Sequence, residues 1–399
     1  MDLQQLTVHP FPTASKHETF LLEADGRFFE IGKDTAELLK YLQKNGVEQE
    51  NIRRYVEEHD GKPKKEEIEN FLVTFEKRLD ANENSNGNRK KSFLYHKDFI
   101  SATMLGRYSN ILKHLFFPEV IGIVVSVFVG LEAAYFLYFR NILEHTPINV
   151  YLIAGLYLFL AFSSLIHEFG HAAACKYYNL PHGNIGFGLY LNLPVFYTDV
   201  THVWKLSCKQ RCIVNFGGVY FQMILLIPLI TIAIIEENGI LDYMILLMNF
   251  NFALTFNPFF KFDGYWMMTD LLGIPNLRKK GNEWMKYLFD KVRGIKRTEH
   301  PYFLSLAPWA KWGLVGYTIV VNLFFFFYFF YVIPRFFIHF YQAFPERFQQ
   351  LMTELSYQQM PSWGNLQQII LQLLFFFLFL YMTYKMVLPL IRKLRWAKV

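Results

Sequence analysis

The chain has 399 residues, 53% of them hydrophobic and 19% aromatic, including 43 phenylalanines. This content divides into two unlike parts, a charged stretch over residues 1 to about 92 and a remainder carrying long apolar runs, which excludes a uniformly soluble protein. The net charge of +6 comes from basic residues collected in particular loops, so it gives no ground for a nucleic-acid partner.

Met1 to Lys16 lacks the basic start and apolar core of a signal peptide, and the N-terminal part is expected to stay in the cytosol. Phe20 to Ala24 and Arg27 to Ile31 predict a β-hairpin across Asp25-Gly26. Asp34 and Glu37 have capping-box spacing for a helix ending at Gly46. A second helix is expected over about 48 to 58. A third, after Pro63, places Ile68, Phe71, Leu72, Phe75 and Leu79 on one stripe. Asn-rich Asp80 to Asn88 predicts a flexible linker. The expected domains are thus 1–80, a linker over 81–92, and a membrane domain over 93–399.

Apolar stretches near 118–139, 150–175, 213–235, 240–258, 311–334 and 366–391 predict six transmembrane helices. Basic residues collect before the first span (Arg89, Lys90, Lys91), before the third (Lys205, Lys209, Arg211), between Lys261 and Lys311, and in the tail (Arg392, Lys393, Arg395). All fall on one side of a six-span chain, which makes that side, and both termini, cytoplasmic. Cys175, Cys208 and Cys212 lie at or near that face, where disulfides are disfavoured, and free thiols are expected, with metal binding by Cys208 and Cys212 as the alternative.

Within the second apolar run, His167-Glu168-Phe169-Gly170-His171 spells H-E-x-x-H. Residues i and i+4 share one helix face, so His167 and His171 can offer ring nitrogens to one zinc ion, with Glu168 as general base. Ionisable groups are costly in an apolar span and usually functional there. A catalytic zinc takes three protein ligands, so a third is required. Asp263, in Asn257-Pro258-Phe259-Phe260-Lys261-Phe262-Asp263-Gly264-Tyr265, follows the proline that ends the fourth span and is the candidate. A solvated aspartate at the helix end is the alternative reading, and Asp199 is a rival acid. Gly217 and Gly218 are expected to permit close helix packing. Asp270, His182 and His202 are expected to be interfacial or to support the ligands.

Ile185 to Leu193 alternates with strand periodicity. Bare strand cannot face lipid, so a re-entrant β segment lining a protein-walled cavity is expected. Gly186 and Gly188 would give it a free edge to hold an extended peptide; a purely structural hairpin is the alternative. Phe324 to Phe330 is expected to be lipid-facing or packing surface.

These motifs together resemble the site-2 protease family, whose members join H-E-x-x-H to an aspartate in a later segment, and within it the bacterial peptide zinc metalloproteases of modified-peptide maturation. The resemblance extends through Tyr197-Thr198-Asp199-Val200 and Asn215 to Gln222, covering about residues 150–277. It implies His167, His171 and Asp263 as ligands of one zinc per chain, and Glu168 as the base. Many members have Asn three residues before the proline, where this chain has Thr255, with Asn257 directly before Pro258. That departure puts a substrate-holding role for Asn257 in doubt and leaves Asn249 and Asn251 as alternatives. The N-terminal order of strands and three helices resembles the winged-helix-like, PqqD-like domains that bind leader segments of precursor peptides; a solubilising or regulatory cap is the alternative.

The expectation is an α-helical polytopic protein of a bacterial cytoplasmic membrane with a small α+β N-terminal domain, acting as a zinc endopeptidase on a ribosomally made precursor peptide. Two rivals are regulated intramembrane proteolysis of a signalling protein, and a non-catalytic peptide-binding export or immunity component.

Overall fold

The structure, a computed structural model, describes residues 6–59, 63–83, 93–138, 149–190, 193–236, 239–295, 301–357 and 360–396. Strand β1 (Thr7–Pro10) precedes the hairpin of β2 (Thr19–Ala24) and β3 (Arg27–Gly32), and the sheet order is β1-β2-β3. Asp25 and Gly26 join the hairpin with φ of 48° and 69°, the positive values a two-residue turn needs to follow the strand twist. Helices α1 (Lys33–Asn45), α2 (Gln49–Glu58) and α3 (Lys65–Glu83) follow. Leu22, Leu39, Leu42, Ile52, Ile68 and Phe75 form one buried core, with Phe71 and Leu72 packed against it.

The capping box expected at Asp34 does not form. Helix α1 starts at Lys33, its N-cap is Gly32 without a side-chain cap bond, and Asp34 lies inside the first turn. Strand β3 runs straight into α1 and leaves no loop position for a capping side chain, so Asp34 instead complements the positive end of the helix. Gly46 ends α1 as expected, with φ of 90°. The first residues of the expected linker continue α3 as far as Glu83, while residues 84–92 and the Leu79 side chain lie outside the described residues.

The remaining helices are α4 (Ala102–Leu112), α5 (Pro118–Tyr138), α6 (Val150–Tyr177), α7 (Cys208–Ile235), α8 (Gly239–Thr255), α9 (Asp263–Leu271), α10 (Leu277–Val292), α11 (Tyr302–Ser305), α12 (Pro308–Phe327), α13 (Ile333–Ser356) and α14 (Trp363–Trp396). A π-helical turn, Tyr328–Val332, carries α12 into α13. Among the described residues, five helical stretches are long and apolar enough to cross a membrane: in α5, α6, α7, the continuous α12–α13, and α14. The fold is that of a mostly helical membrane protein. The fourth expected span is α8, apolar but only 17 residues long. At 1.5 Å per residue it reaches about 26 Å, less than the ~30 Å hydrocarbon core, because the turn around Asn257 and Pro258 stops it early.

The chain forms two units, Met1–Thr318 and Ile319–Val399. In the second, Phe340 of α13 stacks on Phe376 of α14 at 5.3 Å and Phe337 packs edge-on against Phe379. In the run Phe324 to Phe330, Phe326, Phe327 and Phe330 are exposed, while Phe324 stacks on Tyr328 and Phe325 on Phe329. In the first, α5 to α8 share a core of Phe128, Phe159, Leu226, Ile230, Ile245 and Phe252.

The strand expected over Ile185 to Leu193 forms β5 (Ile185–Tyr190), with residues 191 and 192 outside the described residues; β6 (Leu193–Thr198) follows, and β4 (Phe93–Ile100) pairs with the other side of β5. The sheet order is β4-β5-β6. This corrects the expectation of a free edge at Gly186 and Gly188: both lie on the middle strand, whose hydrogen-bonding edges are taken by β4 and β6. A Cβ at Gly186 would stand 2.4 Å from the Tyr197 ring and 2.7 Å from Asp98. The glycine therefore makes room for the 2.6 Å hydrogen bond from the Tyr197 hydroxyl to Asp98.

The N-terminal domain packs directly on the segments that follow β6. Lys205 Nζ lies 2.7 Å from the Glu23 carboxylate, and the Phe28 ring meets His202 edge-on. Phe11 packs edge-on against Trp204 and faces the Arg211 guanidinium at 5.1 Å. The Ala14 N–H donates to the Gly273 carbonyl at 2.8 Å, and the Ala307 N–H donates to the Ala14 carbonyl at 2.9 Å.

Candidate metal centre

Helix α6 presents His167 and His171 one turn apart, as their spacing dictates, and α9 begins with Asp263 beside them. His167 Nε2 and His171 Nε2 are 3.1 Å apart, and Asp263 Oδ2 lies 2.9 Å from the first and 3.4 Å from the second. Ligand atoms of His167, Glu168 and His171 all fall within 4.8 Å of one another. Both Glu168 and His171 are buried.

The outer nitrogens fix the tautomers. His171 Nδ1 is 2.8 Å from the Val214 carbonyl, which can only accept, so this nitrogen carries the proton. Gln222 donates through Nε2 to Ser163 Oγ at 2.9 Å, which leaves its Oε1 to accept from His167 Nδ1 at 3.2 Å. In the neutral imidazoles both Nε2 atoms therefore present lone pairs, and they face a carboxylate oxygen that is buried without a hydrogen-bond partner. Three electron-pair donors at 2.9 to 3.4 Å repel one another unless a cation or proton lies among them. Tetrahedral zinc with bonds of 2.0–2.1 Å sets its ligands about 3.3 Å apart. The donor set and its spacing fit such an ion, and the carbonyl and amide behind the imidazoles are the outer partners that metal-bound histidines use.

Glycines bring the helices close enough for this. A Cβ at Gly170 would come within 2.1 Å of the Gly217 carbonyl oxygen, and one at Gly218 within 2.4 Å of the His167 ring. Gly264 next to Asp263 is equally constrained, with the Phe256 carbonyl 2.2 Å from a built Cβ. Gly217 and Gly218 thus serve helix packing as expected, and Gly218 also supplies the space His167 occupies.

The other sequence candidates have local roles. Asn257 Oδ1 accepts the Phe259 N–H at 2.7 Å, shaping the turn after α8. Asn249 donates to Glu132 at 3.0 Å across α5 and α8. Asp199 accepts the Thr201 N–H at 3.0 Å and starts the 3-10 turn Thr201–Lys205. His202 faces Phe28, and His182 is buried with its Nε2 lacking a hydrogen-bond partner.

Sequence reasoning counts Arg211 only among the basic residues of the cytoplasmic side, and assigns no individual role to Asn215, Gln222 or Ser163. Arg211 Nε lies 2.6 Å from Asp270 Oδ1, and Asn215 Nδ2 donates to Asp270 Oδ2 at 3.1 Å. These bonds lock α9, which carries Asp263, onto α7, which carries the Val214 carbonyl. The available signal was a polar set at helical spacing along an otherwise apolar α7.

Comparison with family models, curated proteins and solved structures gave no match to this chain.

Proposed function

We propose that this protein is an intramembrane zinc endopeptidase that cleaves a ribosomally made precursor peptide. The observation that carries this reading is the convergence of His167 Nε2, His171 Nε2 and Asp263 Oδ2 at 2.9 to 3.4 Å with Glu168 alongside. His167, His171 and Asp263 would hold the zinc. When bound there, zinc supplies Lewis acidity, polarising a peptide carbonyl and lowering the pKa of water to about 7.

The chain's own groups do the rest. Glu168 accepts the proton of the attacking water and passes it to the leaving nitrogen, so the amide C–N bond breaks to carboxylate and amine. The Val214 carbonyl and Gln222 hold the imidazoles in the tautomers that keep Nε2 free. An extended peptide adds to β6, the edge strand next to α6, because both edges of β5 are occupied.

Docking favours capture of a precursor over regulated proteolysis of a signalling helix. The N-terminal domain, read as PqqD-like, rests on the turn that follows β6, so a leader bound to it is held near the sheet edge at high effective concentration. In this reading α8 is a sixth span, the β4–β6 sheet is re-entrant, and the basic loops place both termini in the cytoplasm of a bacterium.

Glu168→Ala is expected to retain zinc and lower cleavage of the precursor peptide by about 10²- to 10⁴-fold. His167→Ala is expected to lose both zinc and cleavage. Purified protein without zinc, or undiminished cleavage by Glu168→Ala, would overturn the proposal and favour a binding-only component.

A further inference from the structure

Beyond the metal centre, the turn after α8 and the first half of α10 enclose an open cavity of about 400 Å³. Its wall includes Lys261, Arg278, Lys279 and Lys286 with the amides of Asn276 and Asn282. Glu283, which also lines the cavity, pairs at 3.4 Å with the neighbouring Lys280. Four cations around one open cavity repel one another, and the positive end of α10 adds to the same potential. An anion relieves that repulsion, and a phosphate matches the ammonium point charges of the three lysines.

The surroundings say where the anion comes from. The cavity lies where apolar helices stop: Lys261 follows the end of α8, and the Tyr317 hydroxyl of α12 donates to the Pro258 carbonyl at 3.2 Å. Two turns along α10, Phe289 is 59% and Val292 86% exposed, and Trp309 and Trp312 at the start of α12 are 57% and 78% exposed. Large apolar and indole side chains left bare beside a basic pocket are the pattern of a membrane–water boundary, where a helix lies in the interface and tryptophans sit at headgroup level. An acidic peptide would need the cations but would have no use for this bare apolar flank.

We propose that the cavity binds the phosphate of an anionic phospholipid headgroup, with the apolar side of α10 seated among the acyl chains. Its lining includes none of His167, Glu168, His171 and Asp263.

The full-length protein in detergent is titrated with phosphatidylglycerol, phosphatidylcholine, inorganic phosphate or an acidic peptide, and binding is read by native mass spectrometry and by the shift in Tm. Phosphatidylglycerol is expected to bind and raise Tm, with phosphatidylcholine and inorganic phosphate far weaker. The triple variant Lys261→Gln, Lys279→Gln, Lys286→Gln is expected to bind phosphatidylglycerol about 10- to 100-fold more weakly while keeping its helical circular dichroism. Phe289→Ser with Val292→Ser should weaken lipid binding and leave the response to inorganic phosphate unchanged. Equal binding of the two lipids, or an unaltered preference in the triple variant, would overturn the proposal. Inorganic phosphate matching phosphatidylglycerol would make this a free-phosphate site, and preference for the acidic peptide would make it a peptide site; either result rejects the lipid.

Discussion

Gly218 lies flat against the imidazole of His167, so close that a Cβ there would stand 2.4 Å from both Cε1 and Nε2. The ring cannot retreat freely, because Nδ1 is held by Gln222 on the same helix as Gly218. A methyl group at position 218 therefore turns a proposed ligand out of line. Gly218→Ala is expected to lower zinc affinity by about 10- to 100-fold, the scale seen when groups supporting a metal ligand are altered. Zinc content after dialysis against a graded chelator checks this; wild-type retention would show that His167 is no ligand or adjusts without loss.

Arg211 and Asp270 form an ion pair that is 3% and 4% exposed, and breaking it leaves an uncompensated buried charge. Asp270→Ala is expected to destabilise the first unit by roughly 3–5 kcal/mol, whereas Arg211→Met with Asp270→Leu should cost much less than the two single changes together. Thermal unfolding in detergent measures the difference. Additive losses would mean that the pair does not couple α7 to α9.

Glu23 ties the N-terminal domain to Lys205 and makes the contact pH-dependent. Burial works against its charge, but hydrogen bonds from Lys205, Thr7 and His9 outweigh it and hold the pKa down to about 2, against an ordinary 4.5. A folded value below the unfolded one stabilises above about pH 4.5 and is lost as pH falls toward 2. Hydrogen-exchange protection of β1 and β2, corrected for the intrinsic pH dependence of amide exchange, is expected to fall over that acid range, and Lys205→Met should flatten the dependence. A profile unchanged by Lys205→Met would place the titration elsewhere.

Gly186→Ala separates packing from substrate binding. On the middle strand its methyl meets the Tyr197 ring, and overpacking of this kind costs about 1–3 kcal/mol. Pairing it with Tyr197→Ala is expected to recover much of the stability. A Gly186→Ala protein as stable as wild type but defective in peptide binding would return the glycine to a substrate role.

The sequence by itself determined what depends on near neighbours along the chain. Asp25-Gly26 chose the hairpin turn because few residue pairs accept two positive φ values, and the stripe from Ile68 to Phe75 gave α3 its buried face. The H-E-x-x-H spacing put two imidazoles on one turn of α6. Length and apolarity marked the long helices. Where local signals competed they misled: Asp34 had the spacing of a cap, yet β3 runs into α1 without a loop residue, and alternation marked β5 as a strand without saying which strands flank it. Tertiary structure decided the rest, because it depends on surfaces far apart in the chain. Strand β4 closes the edge expected at Gly186 and Gly188, for backbone pairing leaves no periodic trace of its partner. Asp263 reaches His167 and His171 because Gly170 and Gly217 let α6 and α7 touch, and because Asp270 fastens α9 to Arg211. A ligand set is a matter of ångströms among three helices, and only packing sets those.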